Sequence, residues 1–111
     1  MSNYLEHLEK DFEKAMWELY YAMLNEAGYE SRALRRMLRE HGGKETAQRL
    51  IRTTKLSNGY GNLYQLGRLD LTVEALIHDN PRWHPLFSKQ ELKKLQQRLI
   101  RFGYGPALEA C

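Results

Sequence analysis

Cysteine is almost missing from this chain of 111 residues, whose single thiol, Cys111, is also its last residue. An intrachain disulfide is excluded, and the composition suits a reducing cytoplasm. Proline is nearly as scarce, with three residues in all. Two of them crowd into "NPRWHPLF", which leaves the remainder free to be helical. No apolar run approaches the roughly 20 residues that a membrane helix needs. The opening "MSNYLEHLEKDFEK" is acidic where a secretory signal would be basic and then apolar. These absences lead to the expectation of a soluble cytoplasmic protein with no membrane contact, its length fitting one domain that buries roughly two-thirds of the unfolded surface.

Acid is lacking in one place only. Residues 31 to 68 hold nine basic side chains against two acidic ones, a net charge of +7. Residues 1 to 30 run the other way at −5, and residues 69 to 111 stand at +1, so the overall +3 conceals a segregated pattern. Charge divided along so short a chain predicts two surfaces of opposite sign.

What the sequence does contain is helical periodicity, with no convincing strand. Leu5, Leu8, Phe12, Ala15, Leu19 and Ala22 recur at spacings of three and four, and Met16, Tyr20, Met23 and Ala27 widen the stripe. A long first helix is expected over about residues 3 to 27, closed by Gly28. A second helix opens at Glu30 or Ser31 and ends at Gly42 and Gly43, and a third runs from about Lys44 to Thr53. "TKLSNGYGN" reads as a loop, followed by one or two turns over Asn62 to Leu66. Asp70 can cap a helix reaching His78, with Arg68, Asp70 and Glu74 expected to pair around its start. The prolines then break the chain, with Trp83 and Phe87 as anchors. Ser88 and Glu91 form a capping box ahead of a stripe of Leu92, Leu95, Leu99 and Phe102, which Gly103 ends. The sum is an all-α fold, a single compact domain of five or six helices: a long N-terminal helix (1–27), a helical hairpin, a C-terminal capped helix and a frayed tail over 105–111.

At about 100° per residue, Arg32, Arg35, Arg36 and Arg39 fall within one arc of the second helix, with Ala33, Leu34, Met37 and Leu38 opposite. Like charges at these spacings repel, by a few tenths of a kcal/mol per pair. Either acids of the first helix or an external polyanion should offset them. Together with Lys44, Arg49, Arg52 and Lys55 these side chains form a candidate nucleic-acid surface. Three readings stand: a major-groove helix-turn-helix across Gly42, a phosphate surface without sequence readout, and a helical hairpin with a solvated arginine face. The first is weakened at two packing positions, where Leu38 replaces a small residue and Gln48 an apolar one.

The acidic, aromatic first helix suggests a second surface, for a protein partner or a second copy, through Tyr4, Trp17 and Tyr21. Glu74 and His78 share a helical face near Asp79 and His84, but no second motif completes a metal site. Gly59 and Gly61 lack the Lys-Ser/Thr ending of a phosphate loop and read as a turn. No cofactor motif and no catalytic constellation is found, so binding rather than catalysis is expected.

Three stretches, "EHGGKETAQRLI", "LSNGYGNLYQLGRLDLTVEALI" and "PRWHPLFSKQELKKLQQRLIRFGY", together resemble a small helical module that recurs in uncharacterised bacterial proteins. The resemblance spans residues 28 to 104 and excludes the first helix. It implies no established activity and no catalytic residue, and it suggests an accessory role beside larger proteins of restriction or defence type.

Overall fold

The structure, a computed structural model, describes residues 3–104, so the tail expected over 105–111 lies outside the described residues. Helix α1 (Asn3–Ala27) buries Leu8, Phe12, Met16, Leu19, Tyr20 and Met23, the side chains that the three-and-four spacing puts on one face. Gly28 ends it at a φ of 65°, a left-handed conformation that costs glycine nothing. The anchors behave as expected: Trp83 and Phe87 are buried and meet Phe12 edge-on, with ring centroids 5.3 and 5.5 Å away. Such aromatic pairs add roughly 0.5–1.5 kcal/mol beyond area burial.

Helix α2 (Arg32–Arg52) starts at Ser31, whose Oγ accepts the Leu34 N–H at 3.2 Å. The break expected at the double glycine is present: Gly42 takes non-helical angles (φ 82°, ψ 171°) and divides α2 into two helical halves. The following glycine has a different reason. A Cβ on Gly43 would stand 2.8 Å from the Cα of Glu13, so only glycine lets α2 come this close to α1. In return, Glu13 Oε1 accepts the Gly43 N–H at 2.6 Å. The second half of α2 therefore begins against a carboxylate lent by another helix, as an N-cap residue of its own would provide.

Two sequence expectations about the middle of the chain are corrected. "SNGYGN" is helical: α3 covers Asn58–Gln65, and Ser57 Oγ accepts the Tyr60 N–H at 3.1 Å. Burial of Tyr60 and Leu63 outweighs the poor helix propensity of Gly59 and Gly61. Asp70 caps nothing. It lies in a 3-10 turn (Leu69–Leu71), and Thr72 caps α4 (Val73–His78) by accepting the Ala75 N–H at 3.1 Å.

A second 3-10 segment (Pro81–Leu86) leads to α5 (Lys89–Arg101), which opens on the expected capping box. Ser88 Oγ accepts from Glu91 N at 3.1 Å, and Glu91 Oε1 accepts from Ser88 N at 2.9 Å. Leu95 and Leu99 are buried, whereas Leu92 and Phe102 are only half-buried. From the same helix, buried Arg98 reaches Glu74 at 2.7 Å and the carbonyls of Leu50, Ile51 and Thr53 at 3.2, 3.4 and 2.7 Å. One guanidinium thus satisfies the last carbonyls of α2 and ties α2, α4 and α5 together. Glu74 was expected beside Arg68 and Asp70; instead Arg68 pairs with Asp70 and, at 2.7 Å, with Glu26 of α1. The result is an all-α fold of five α-helices and two 3-10 segments among the described residues.

Candidate nucleic-acid interface

The bend at Gly42 divides the basic side chains of α2 into two groups with different surroundings. Before it, Leu34 and Leu38 are buried, Met37 is half-buried, and Arg32, Arg36 and Arg39 are exposed with Arg35 partly so. Ala33, expected on the apolar side, faces solvent among the arginines. A shallow hollow is lined, among the described residues, by Arg32, Ala33, Arg35, Arg36 and Arg39.

Pairing separates these four from most of the remaining arginines. Arg49 pairs with Glu45, Arg52 with Glu91, Arg68 with Glu26 and Asp70, Arg82 with Asp11, and Arg98 with Glu74. Arg101 lies over the Phe102 ring. None of Arg32, Arg35, Arg36 and Arg39 has a carboxylate within 4.0 Å among the described residues. Three of the six acids of α1 are engaged elsewhere: Asp11 on Arg82, Glu13 on Gly43 and Trp17, and Glu26 on Arg68. Glu30, in the turn after α1, accepts the Tyr20 hydroxyl at 3.3 Å. No direct ion pair among the described residues offsets the repulsion on this face.

Arg49 and Arg52, grouped with the face on sequence grounds, stand past the bend and already hold carboxylates. The Arg52 guanidinium sits 2.9 Å from Glu91. Burial pushes the Glu91 carboxyl up, but the Ser88 N–H, Arg52 and Gln48 outweigh it and hold the group below the usual range. Lys44 is half-buried and Lys55 exposed, both also beyond Gly42.

Of the three aromatic residues expected at a protein interface, Tyr4 and Tyr21 are exposed, at 62% and 53%. Trp17 is half-buried, donates Nε1–H at 3.3 Å to Glu13, the residue that meets Gly43, and packs edge-on against Tyr20, so these contacts lie within α1. Around Glu74 and His78, no group of three metal-ligating side chains gathers among the described residues. His84 Nε2 is bound to the Ile77 carbonyl at 2.9 Å. Tyr60 is buried with its hydroxyl donating to the Arg98 carbonyl at 3.2 Å.

One feature escaped the sequence reading altogether. A cavity of about 210 Å³ opens between α2, α3 and α4, with Tyr29, Met37, Leu50, Asn58 and Glu74 among its lining. Arg32 and Ala33 line both this cavity and the arginine hollow. Its walls come from residues as far apart as Met23 and Glu74, so no local pattern announces it. Comparison with protein-family models, with curated proteins and with solved structures gives no match. The resemblance over residues 28 to 104 accordingly adds no residue role to those the geometry defines.

Proposed function

We propose that this chain is a nucleic-acid-binding module that holds phosphates along the first half of α2. The observation carrying this reading is the contrast in pairing: four guanidinium groups within one arc lack a carboxylate among the described residues, while five other arginines each hold one. A helix face bearing only repelling charge is destabilising by itself. A polyanion lying along it removes that repulsion and releases its own condensed counterions. Arginine suits the task because its planar fork binds phosphate oxygens in a bidentate manner. Contacts of this kind position a strand without reading its sequence. A major-groove helix-turn-helix is disfavoured, because Arg49 and Arg52, the arginines past Gly42 that would have to reach base edges, already hold Glu45 and Glu91.

The test is affinity for duplex and single-stranded oligonucleotides as a function of salt. Four phosphate contacts give a slope of log affinity against log salt of about −3 to −4. Replacing Arg35 and Arg36 with alanine should lower that slope by about two in magnitude, evenly across sequences, with the melting temperature unchanged or raised. Absence of salt-sensitive binding at low ionic strength, or loss of fold in the double variant, would defeat the reading.

A further inference from the structure

We infer that the cavity between α2, α3 and α4 receives one unpaired nucleobase from a strand whose phosphates lie on the arginine face. This rests on the phosphate-binding reading and adds a preference for single strands to it. Continuity is the first support. Arg32 and Ala33 border both the arginine hollow and the cavity, so a strand leaving the arginines passes directly over its mouth.

Size is the second support. At about 210 Å³ the cavity is smaller than the ~300–1,000 Å³ that hold drug-sized ligands. A single planar heteroaromatic group fits that scale better than a whole cofactor.

Chemistry is the third. The Tyr29 ring stands beside Gly59, where an added Cβ would lie 3.5 Å from its hydroxyl and 3.7 Å from its Cε2. It supplies an aromatic wall, and Met37 and Leu50 supply apolar ones. Asn58 brings an amide that can both donate and accept, and the buried Glu74 carboxylate, held by Arg98, offers acceptor oxygens. Apolar and aromatic walls with a few polar groups are what a splayed-out base requires, stacking on its faces and hydrogen bonding at its edges. A duplex cannot present a base in this way without unpairing it.

The experiment compares an oligodeoxyadenylate of about ten nucleotides with an abasic strand of the same length and charge. The base-bearing strand should bind on the order of tenfold to hundredfold more tightly, since stacking on protein side chains is worth that much per base. Asn58→Trp, a change at an exposed site that lines the cavity and not the arginine hollow, should cut this advantage to about twofold or less. The same variant should leave abasic affinity, its salt slope and the melting temperature as they were. Tyr29→Leu should do likewise through the wall of the cavity. Equal affinity for the two strands would overturn the inference while leaving phosphate binding intact, and so would an Asn58→Trp variant that weakens both strands alike. Failure of both strands to bind at low salt would remove the phosphate-binding reading and this inference with it.

Discussion

Single residues in this chain carry more of the architecture than their type suggests, and the double glycine is the clearest case. Sequence reading placed a break there and was right about its position, because two adjacent glycines interrupt any helical pattern. It had no means of knowing that they are needed for separate reasons: Gly42 for a backbone conformation, Gly43 for the approach of α1. The second reason is tertiary and leaves no local trace. Gly43→Ala should therefore be the more damaging of the obvious helix-favouring substitutions. Its methyl would stand 2.8 Å from backbone, which cannot move as a side chain tip can. Overpacking of this kind costs about 1–3 kcal/mol, well beyond the gain in helix propensity. Denaturant unfolding of Gly43→Ala beside the parent protein measures it, and an unchanged midpoint would show that α1 and α2 can separate at little cost.

Among the elements, those with local signals were legible and those made by distant partners were not. The α5 capping box was read from two residues three apart, and α1 from a stripe that repeats over 25 residues. Helix α3 was mostly missed because two glycines in eight residues argue against helix until the burial of Tyr60 and Leu63 is known. The same limit hid the Glu74–Arg98 pair, whose members are 24 residues apart. In the candidate site, the arginine arc was legible from periodicity alone. Which arginines stay unpaired was not, since that depends on where the acids of α1 are engaged. Arg98 is the element-scale test. Removing one partner of a buried ion pair costs about 3–5 kcal/mol because the other charge is stranded. Arg98→Met should thus lower stability by that order and also free the C-terminal carbonyls of α2. The Glu74→Leu, Arg98→Met double variant should recover part of the loss. Thermal melts of the three proteins decide it, and a double variant as unstable as the single would show that the carbonyl bonds matter more than the charge pair.

For the molecule as a whole, the charge division along the chain becomes a division of labour among acids. Arg49 holds Glu45 below the usual carboxylate range by a side-chain hydrogen bond, and Arg68 does the same to Asp70. Glu91 is lowered despite burial, as described above. Each of these groups binds protons more weakly folded than unfolded. Their stabilisation is complete above the ordinary carboxyl value of 4.5 for a glutamate and is lost as pH falls through the lowered values. Glu74 has the opposite sign: burial raises it, so its contribution declines as pH rises through the corresponding window. With three groups against one, the melting temperature should fall on acidification below about pH 4.5. Glu91→Gln should make that fall shallower, whereas a melting temperature that rises on acidification would show that Glu74 dominates.

The bend at Gly42 also sets how the molecule breathes. Past it, α2 is fastened by Glu13 at one end and by Arg98 and Lys94 at the other. Before it, the helix has the Ser31 cap and two buried leucines, and its outer face repels itself. Amide hydrogens between Arg35 and His41 should accordingly exchange with solvent deuterium faster than those between Ala47 and Ile51, through local openings that stop at the glycine. A polyanion that lies on the arginines should slow exchange in the first segment and leave the second as it was, so the footprint of the ligand would have its edge at one residue.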